Sequence, residues 1–279
     1  MKRALALAAV VGAAAVIVRA QTFDVASVKQ NKSGQDNGFF GGPPSRWTAT
    51  NVPLRQFIVF AYQLVAFQIE GMPDWAVADR WDISAKSERT FPPNPAGSTP
   101  TIPMLRALLE DRFKLVAHME KRQAPIYELV LARNDKMLGP EMRKSAVDCA
   151  ALIAANLRGG PPLPQPPPGK ILCGITTNTG RMMASGQPVS RLAVQLSQLL
   201  QRVVIDRTGL AGMYDFTLTY APERAPAAGG GAPDSAPAVD PNLPSVFTAL
   251  QEQLGLKLDP NRGPVDVLVI DHVERPADD

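Results

Sequence analysis

A chain of 279 residues with 45% hydrophobic content can build one large or two small domains with cores of their own. Lys and Arg number 29 against 26 Asp and Glu, but three of the bases, Lys2, Arg3 and Arg19, lie in the first twenty residues, which hold no acid. Beyond that point the balance is 26 to 26, so a global electrostatic case for nucleic acid or an anionic membrane surface is excluded.

Met1-Lys2-Arg3 leads into an uncharged run from Ala4 to Val18, and Val18-Arg19-Ala20 then sets small residues before Gln21. This is the pattern of a signal peptide over residues 1–20, cleaved between Ala20 and Gln21. The run falls short of the roughly 20 apolar residues of a membrane span. An uncleaved anchor is the alternative. No later segment is apolar enough over that length, so no transmembrane segment is expected after signal removal.

Thr22 to Val28 alternates apolar and polar residues, as a half-buried strand does. Gln30 to Ser45 is Gly/Asn/Pro-rich and reads as loop, and Arg46 to Thr50 as a strand. Leu54, Phe57, Ile58, Ala61 and Leu64 fall at helical spacing behind Pro53. A short strand at Gln68–Gly71, a turn at Met72–Trp75 and a strand at Arg80–Ala85 follow. A Pro-rich connector, 87–103, leads to a helix bearing Leu105, Leu108, Leu109 and Phe113. Lys114–Glu120 and Ile126–Ala132 then read as a hairpin, connected through Lys121 to Pro125.

Residues 134–179 differ in character, with the tract Gly159-Gly-Pro-Pro-Leu-Pro-Gln-Pro-Pro-Pro-Gly169. Such a tract favours extended polyproline conformations and reads as a loop, with a ligand for a partner groove as the functional alternative. It lies between the only two cysteines, Cys149 and Cys173. In an exported chain these are expected to form one disulfide, worth about 3 kcal/mol through the loop it closes; two free thiols are the alternative. Neither His118 nor His272 stands at ligand spacing from them, and no metal or cofactor is expected.

The pattern then restarts. Gly180–Ser185 reads as strand, and Val189, Leu192, Ala193, Leu196, Leu199 and Leu200 form a helical face. Val203–Ile205 and Met213–Tyr220 are strands around the turn Asp206-Arg207-Thr208-Gly209. Residues 221–244 read as a mobile Pro/Ala/Gly linker. A helix with Val246, Ala249, Leu250 and Leu254 precedes a hairpin of Leu256–Leu258 and Val265–Val273. Superposing the halves places Pro53 on Pro188, Phe57 on Leu192, Ile69 on Val204 and Trp81-Asp82-Ile83 on Tyr214-Asp215-Phe216. It also places Leu105 on Val246, Pro125 on Pro264 and Leu129 on Leu268. An internal duplication is expected, with repeats at 21–133 and 180–279, each strand–helix–strand–strand–helix–strand–strand. The fold class is α+β, mixed sheets with helices packed on one face.

Phe23-Asp-Val-Ala-Ser-Val28, Gly71-Met-Pro-Asp-Trp75, Trp81-Asp-Ile-Ser-Ala-Lys86, Met104 to Leu115, Pro125-Ile-Tyr127, Val204 to Phe216, Ala249 to Leu258 and Val269-Ile-Asp-His-Val273 together carry a resemblance. The chain resembles a family of soil-associated uncharacterised proteins abundant in Acidobacteria, built on a domain of unknown function. Similar domains end membrane metallopeptidases that resemble β-lactam sensors. The resemblance implies export and an extracytoplasmic sensing or binding role, and it carries no catalytic residue over to this chain. Their zinc motif, His-Glu-x-x-His, is absent here. More weakly, Ala249 to Pro260 is similar to small modules of secretins and TonB-dependent receptors.

The chemistry-bearing residues each have a structural reading. Asp271-His272 lacks a Gly-x-Ser-x-Gly elbow to serve, and His118 reads as a surface residue. Asp74, Asp82, Asp206 and Asp215 recur near the two turns, where Asp side chains bond nearby backbone; Asp82 and Asp215 are also placed to pair with Arg80 and Arg207. Trp75 and Trp81 read as core, with an aromatic platform as the alternative. The leading reading is a non-enzymatic envelope binding or sensing module. Asp74, Trp75, Trp81, Asp206 and Arg207 form its candidate recognition surface. The expected partner is an envelope protein, a peptide or cell wall, not nucleic acid. The alternative is a hydrolase acting on an envelope polymer through paired carboxylates.

Overall fold

The computed structural model describes residues 22–35, 37–41, 46–87, 101–157, 159–222 and 242–277. The expected leader with its Ala20–Gln21 junction, residues 88–100 of the connector and 223–241 of the linker lie outside them.

The first half runs β1 (Val25–Asn31), β2 (Phe39–Gly41), β3 (Arg46–Pro53), α1 (Leu54–Tyr62), β4 (Ile69–Glu70), α2 (Trp75–Ala78), β5 (Arg80–Lys86), α3 (Thr101–Arg112) and β6 (Val116–Leu131). The second runs β7 (Met142–Lys144), α4 (Cys149–Leu157), β8 (Gly174–Asn178), β9 (Arg181–Gln187), α5 (Val189–Leu200), β10 (Val204–Asp206) and β11 (Tyr214–Thr219). It closes with α6 (Val246–Ala249), a π-helical turn at Leu250–Leu254 and β12 (Leu256–His272). In both halves a proline joins strand to helix: Pro53 and Pro188 cap α1 and α5 from extended backbone. A proline N–H is not missed there, because the first helical donors have no partner inside the helix.

The chain is α+β, with three four-stranded sheets among the described residues. Two are antiparallel and share one order, β1-β5-β3-β2 and β7-β11-β9-β8. The repeated unit is therefore longer than its periodicity suggests. It restarts at β7, inside the segment 134–179 that reads as loop. That segment holds two strands and a helix; α4 and the Pro-rich tract are an insertion into the β7–β8 connection, which in the first half is only residues 32–38. A three-residue strand beside a proline tract leaves no periodic signal to read.

Each of these sheets carries helices on one face. Trp81, Ile83 and Ala85 of β5 are buried against Phe57, Ile58, Leu105 and Leu109 of α1 and α3. Tyr214, Phe216 and Leu218 of β11 are buried against Leu192, Leu196, Ala249 and Leu254. Alternate residues point outward, which is what leaves the opposite face free for a site.

The third sheet, β10-β6-β12-β4, joins the halves. β6 and β12 form one long antiparallel ribbon, β10 runs parallel to β6 and β4 parallel to β12. Each half thus lends its short strand to the other half's long one. Ala124 pairs with Gly263 at the crossing, and the match of Pro125 on Pro264 makes those two positions equivalent. The two expected hairpins do not form; each pair of segments is one continuous strand. Pro125 and Pro264 suggest turns, but they lie where no third strand calls on their missing N–H. β10 meets β6 only at Tyr127–Leu129, and β4 meets β12 only at Leu268–Val269.

The ribbon feeds two separate cores. Leu268 and Ile270 of β12 sit in the first-half core, while Leu129 of β6 joins Leu256 and Leu258 in the second-half core. A small third cluster, Ile126, Val265 and Val267, lies near the crossing. No described helix is long and apolar enough to cross a membrane.

Candidate functional site

The recurrent aspartates of β5 and β11 do the same local work. Opposite Asp82, the strand β3 carries two residues, Thr50 and Asn51, and opposite Asp215 the strand β9 carries Ser185 and Gly186. Both are β-bulges, and the second bulge residue is left-handed in each, Asn51 at φ 56° and Gly186 at φ 63°. The Asn51 N–H donates to Asp82 Oδ1 over 2.8 Å, and the Gly186 N–H to Asp215 Oδ1 over 3.0 Å. Asn31 Nδ2 donates to both Asp82 oxygens, and Ser185 Oγ donates to Asp215. Partial burial alone would raise the Asp215 carboxyl, but hydrogen bonds from Ser145, the Gly186 N–H and Ser185, with Arg143 nearby, outweigh it and hold the group below its ordinary range.

The expected partners differ accordingly. Arg80 Nη1 donates to the Asn51 carbonyl, and Arg207 lies nearest Glu128, at 3.6 Å. Asp82 and Asp215 belong to different sheets.

What projects from the two bulges differs between the halves. Asn51 uses its amide to clamp the β1–β2 connection, donating to the Gln35 and Asn37 carbonyls over 2.8 Å each. Gly186 has no side chain, and that space is filled by Cys149 Sγ. Cys149 and Cys173 are bridged, as expected of the chain's only two cysteines. The disulfide thus stands where the first half uses an asparagine.

Of the proposed recognition residues, Trp81 faces inward. It is 2% exposed, edge-on to Phe113 at 5.4 Å between centroids, because β5 alternation directs it to the helices. Trp75 is half-buried at the start of α2, under the Arg275 guanidinium, which also holds Asp79. The Asp74 carbonyl accepts from the Val77 and Ala78 N–H groups, and Asp206 Oδ1 accepts from the Thr208 N–H and hydroxyl in a tight Asx-type turn. The two turns follow β4 and β10, on opposite edges of the central sheet, so they do not make one surface.

The structure instead draws together a cleft of about 450 Å³ on the helix-free face of the second-half sheet. Its floor is Met183, Ser185, Asp215 and Thr217 of β9 and β11, with Arg143 of β7 and the adjoining Glu141. Its roof is the inserted strap, Gln165 to Pro167 and Lys170 to Leu172. Arg143 Nη2 lies 3.5 Å from Asp215 Oδ2. The walls combine an apolar band (Met183, Pro166, Leu172) with exposed charges (Arg143, Lys170, Glu141). The size fits a ligand pocket, and Ser185 and Asp215 are held in place by their bulge bonds.

A family model described as "Protein of unknown function (DUF3738)" matches residues 55–273. The chain belongs to this family. The DUF3738 match begins in α1 and spans both bulge aspartates, both long strands, the disulfide and the whole cleft. Comparison with curated proteins and with solved structures returns no significant match.

On the central sheet, His118 Nδ1 lies 2.8 Å from Asp271 and Nε2 3.2 Å from Glu120. Arg122 joins Glu120 to Glu70 of β4. The hydrogen bond with Asp271, then that with Glu120, raises the His118 pKa above 6.5. A raised folded-state value means stabilisation that is fully present below the ordinary histidine range and lost as pH rises through the folded pKa. The group is exposed, so the contribution is small. In a proton NMR titration the His118 ring is expected to titrate above 6.5, and Asp271→Asn to return it toward that value. An unchanged midpoint in the variant rules out Asp271 as the cause.

Proposed function

We propose that this chain is an exported, non-enzymatic binding or sensing module of the cell envelope, and that its ligand, an envelope protein, peptide or cell-wall segment, seats in the strap cleft of the second half. The duplication acts as an internal control. What both halves share, the aspartate-held bulge, serves the fold. What one half alone carries, α4 and the Pro-rich strap, is the candidate for function. The observation that carries this reading is the cleft beneath that strap. Ser185 and Asp215 point to holding rather than turnover, since each is engaged in the bulge. Export is supported by the leader pattern and by the disulfide, which persists in oxidising compartments.

The test places a photo-crosslinking residue at Met183 and exposes the protein to envelope fractions. A single discrete adduct is expected, lost in an Arg143→Glu/Lys170→Glu variant that keeps its fold. A folded protein that yields no adduct at Met183 overturns the reading. Turnover of an envelope polymer, abolished by Asp215→Asn in a folded protein, would favour a hydrolase instead.

A further inference from the structure

Among the described residues, the strap makes no hydrogen bond to the sheet beneath it, and the disulfide closes the base of the insertion. Among the described residues, the hydrogen bonds of 159–172 stay within the insertion: Gly159 N–H to the Asn156 carbonyl, Gly160 N–H to Ala155, Lys170 N–H to Pro167 and Asn156 Nδ2 to Pro161. None reaches β7, β9 or β11. α4 has nine residues, too few to stand as a helix without tertiary support. Its first residue is Cys149, pressed onto the bulge at Gly186, and the strap ends at Cys173. The bridge therefore ties the start of the helix to the end of the roof, and its Cys149 sulfur rests on the bulge at Gly186.

We propose that the Cys149–Cys173 disulfide is a redox latch on the cleft: a dithiol reductant opens it, and the strap with α4 then leaves the sheet while the rest of the second half stays folded. The two sulfurs differ in access. Cys149 is 8% exposed, whereas Cys173 is half-buried, so the reductant's thiolate attacks Cys173 Sγ. The S–S bond breaks, and Cys149 leaves as a thiolate and takes up a proton. As a thiol it has the Ser185 carbonyl at 3.8 Å as an acceptor. The reductant's second thiol then resolves the mixed disulfide and frees Cys173. Two electrons pass from the dithiol, which becomes a disulfide, to the cystine. The bulge survives because the Asp215 bonds to Gly186 and Ser185 do not involve sulfur. The inference rests on the proposed cleft being the working site, but its test needs no ligand.

The full chain is compared by amide hydrogen exchange before and after treatment with dithiothreitol, with alkylation and mass spectrometry confirming two free thiols. Exchange at the hydrogen-bonded amides of this segment, those of α4 with Gly159, Gly160 and Lys170, is expected to speed up at least tenfold, with β9 and β11 unchanged. A Cys149→Ser/Cys173→Ser variant is expected to show the fast pattern without reductant. In that variant peroxide is expected to oxidise Met183, beneath the roof, several-fold faster than in the bridged protein, with the exposed Met119 as the reference. Unchanged exchange in 150–172 after full reduction overturns the latch. So does loss of protection across β9 and β11 together with the strap, which makes the bridge a plain structural staple. If the strap opens on reduction while Met183 crosslinks nothing, the latch stands and the proposed function falls.

Discussion

Alanine at Gly186 is expected to destabilise the protein by about 2–6 kcal/mol, the sum of a left-handed backbone in a non-glycine residue and overpacking against sulfur. Gly186 stands at φ 63°, and a Cβ there would collide with Cys149 Sγ. Neither problem can be relieved locally, since the Asp215 carboxylate fixes the bulge and the bridge fixes Cys149. The measurement is a double-mutant cycle by chemical denaturation. In a Cys149→Ala/Cys173→Ala background the overpacking is removed, and the cost of Gly186→Ala is expected to fall to the backbone component of about 1–3 kcal/mol. A cost that does not change with the sulfur gone would show that the bulge does not seat the disulfide.

A polypeptide of residues 22–133 alone is expected not to fold. Its core is incomplete without Leu268 and Ile270, 0% and 6% exposed, which arrive on β12, and among the described residues β4 pairs only with β12. Losing a buried leucine or isoleucine side chain costs about 2–5 kcal/mol. Two such losses are comparable with the whole stability of a typical domain, about 5–15 kcal/mol. Leu129 would in turn be stripped of its neighbours in the second-half core. The intact chain should unfold in one transition, and Leu268→Ala should weaken amide protection in the first-half core, around Phe57 and Leu109. A well-dispersed NMR spectrum from the isolated half would show that the strand exchange is dispensable.

The helices, the strand alternation and the duplication are legible in the sequence because they rest on local periodicity: Phe57 on Leu192 and Trp81-Asp82-Ile83 on Tyr214-Asp215-Phe216 need only a side-by-side comparison. The ribbon is not legible. Pro125 and Pro264 carry the local mark of a turn, and only the partner strand decides whether their missing N–H matters. The cleft is half legible. The proline tract between Cys149 and Cys173 announces a tethered loop, but its floor comes from Met183 and Thr217, which carry no chemical signature. The role of Asp82 and Asp215 was within reach, since the same superposition sets Asn51 on Gly186, the two residues most tolerant of a left-handed backbone. Trp81 shows the opposite failure, a residue marked by its chemistry yet placed by alternation in the core.

The crossing at Ala124 and Gly263 has a consequence for descent. A single unit ending in one long strand would leave that strand, and its short neighbour, in need of a second copy. Such a unit is at home only as a symmetric homodimer, in which every surface occurs twice. The present chain has the architecture such a dimer would have with its subunits fused. Fusion ends the obligation to symmetry, and an insertion can then enter one β-strand connection without entering its twin. On this account the strap cleft of the second half is what the tether between β6 and β7 made possible.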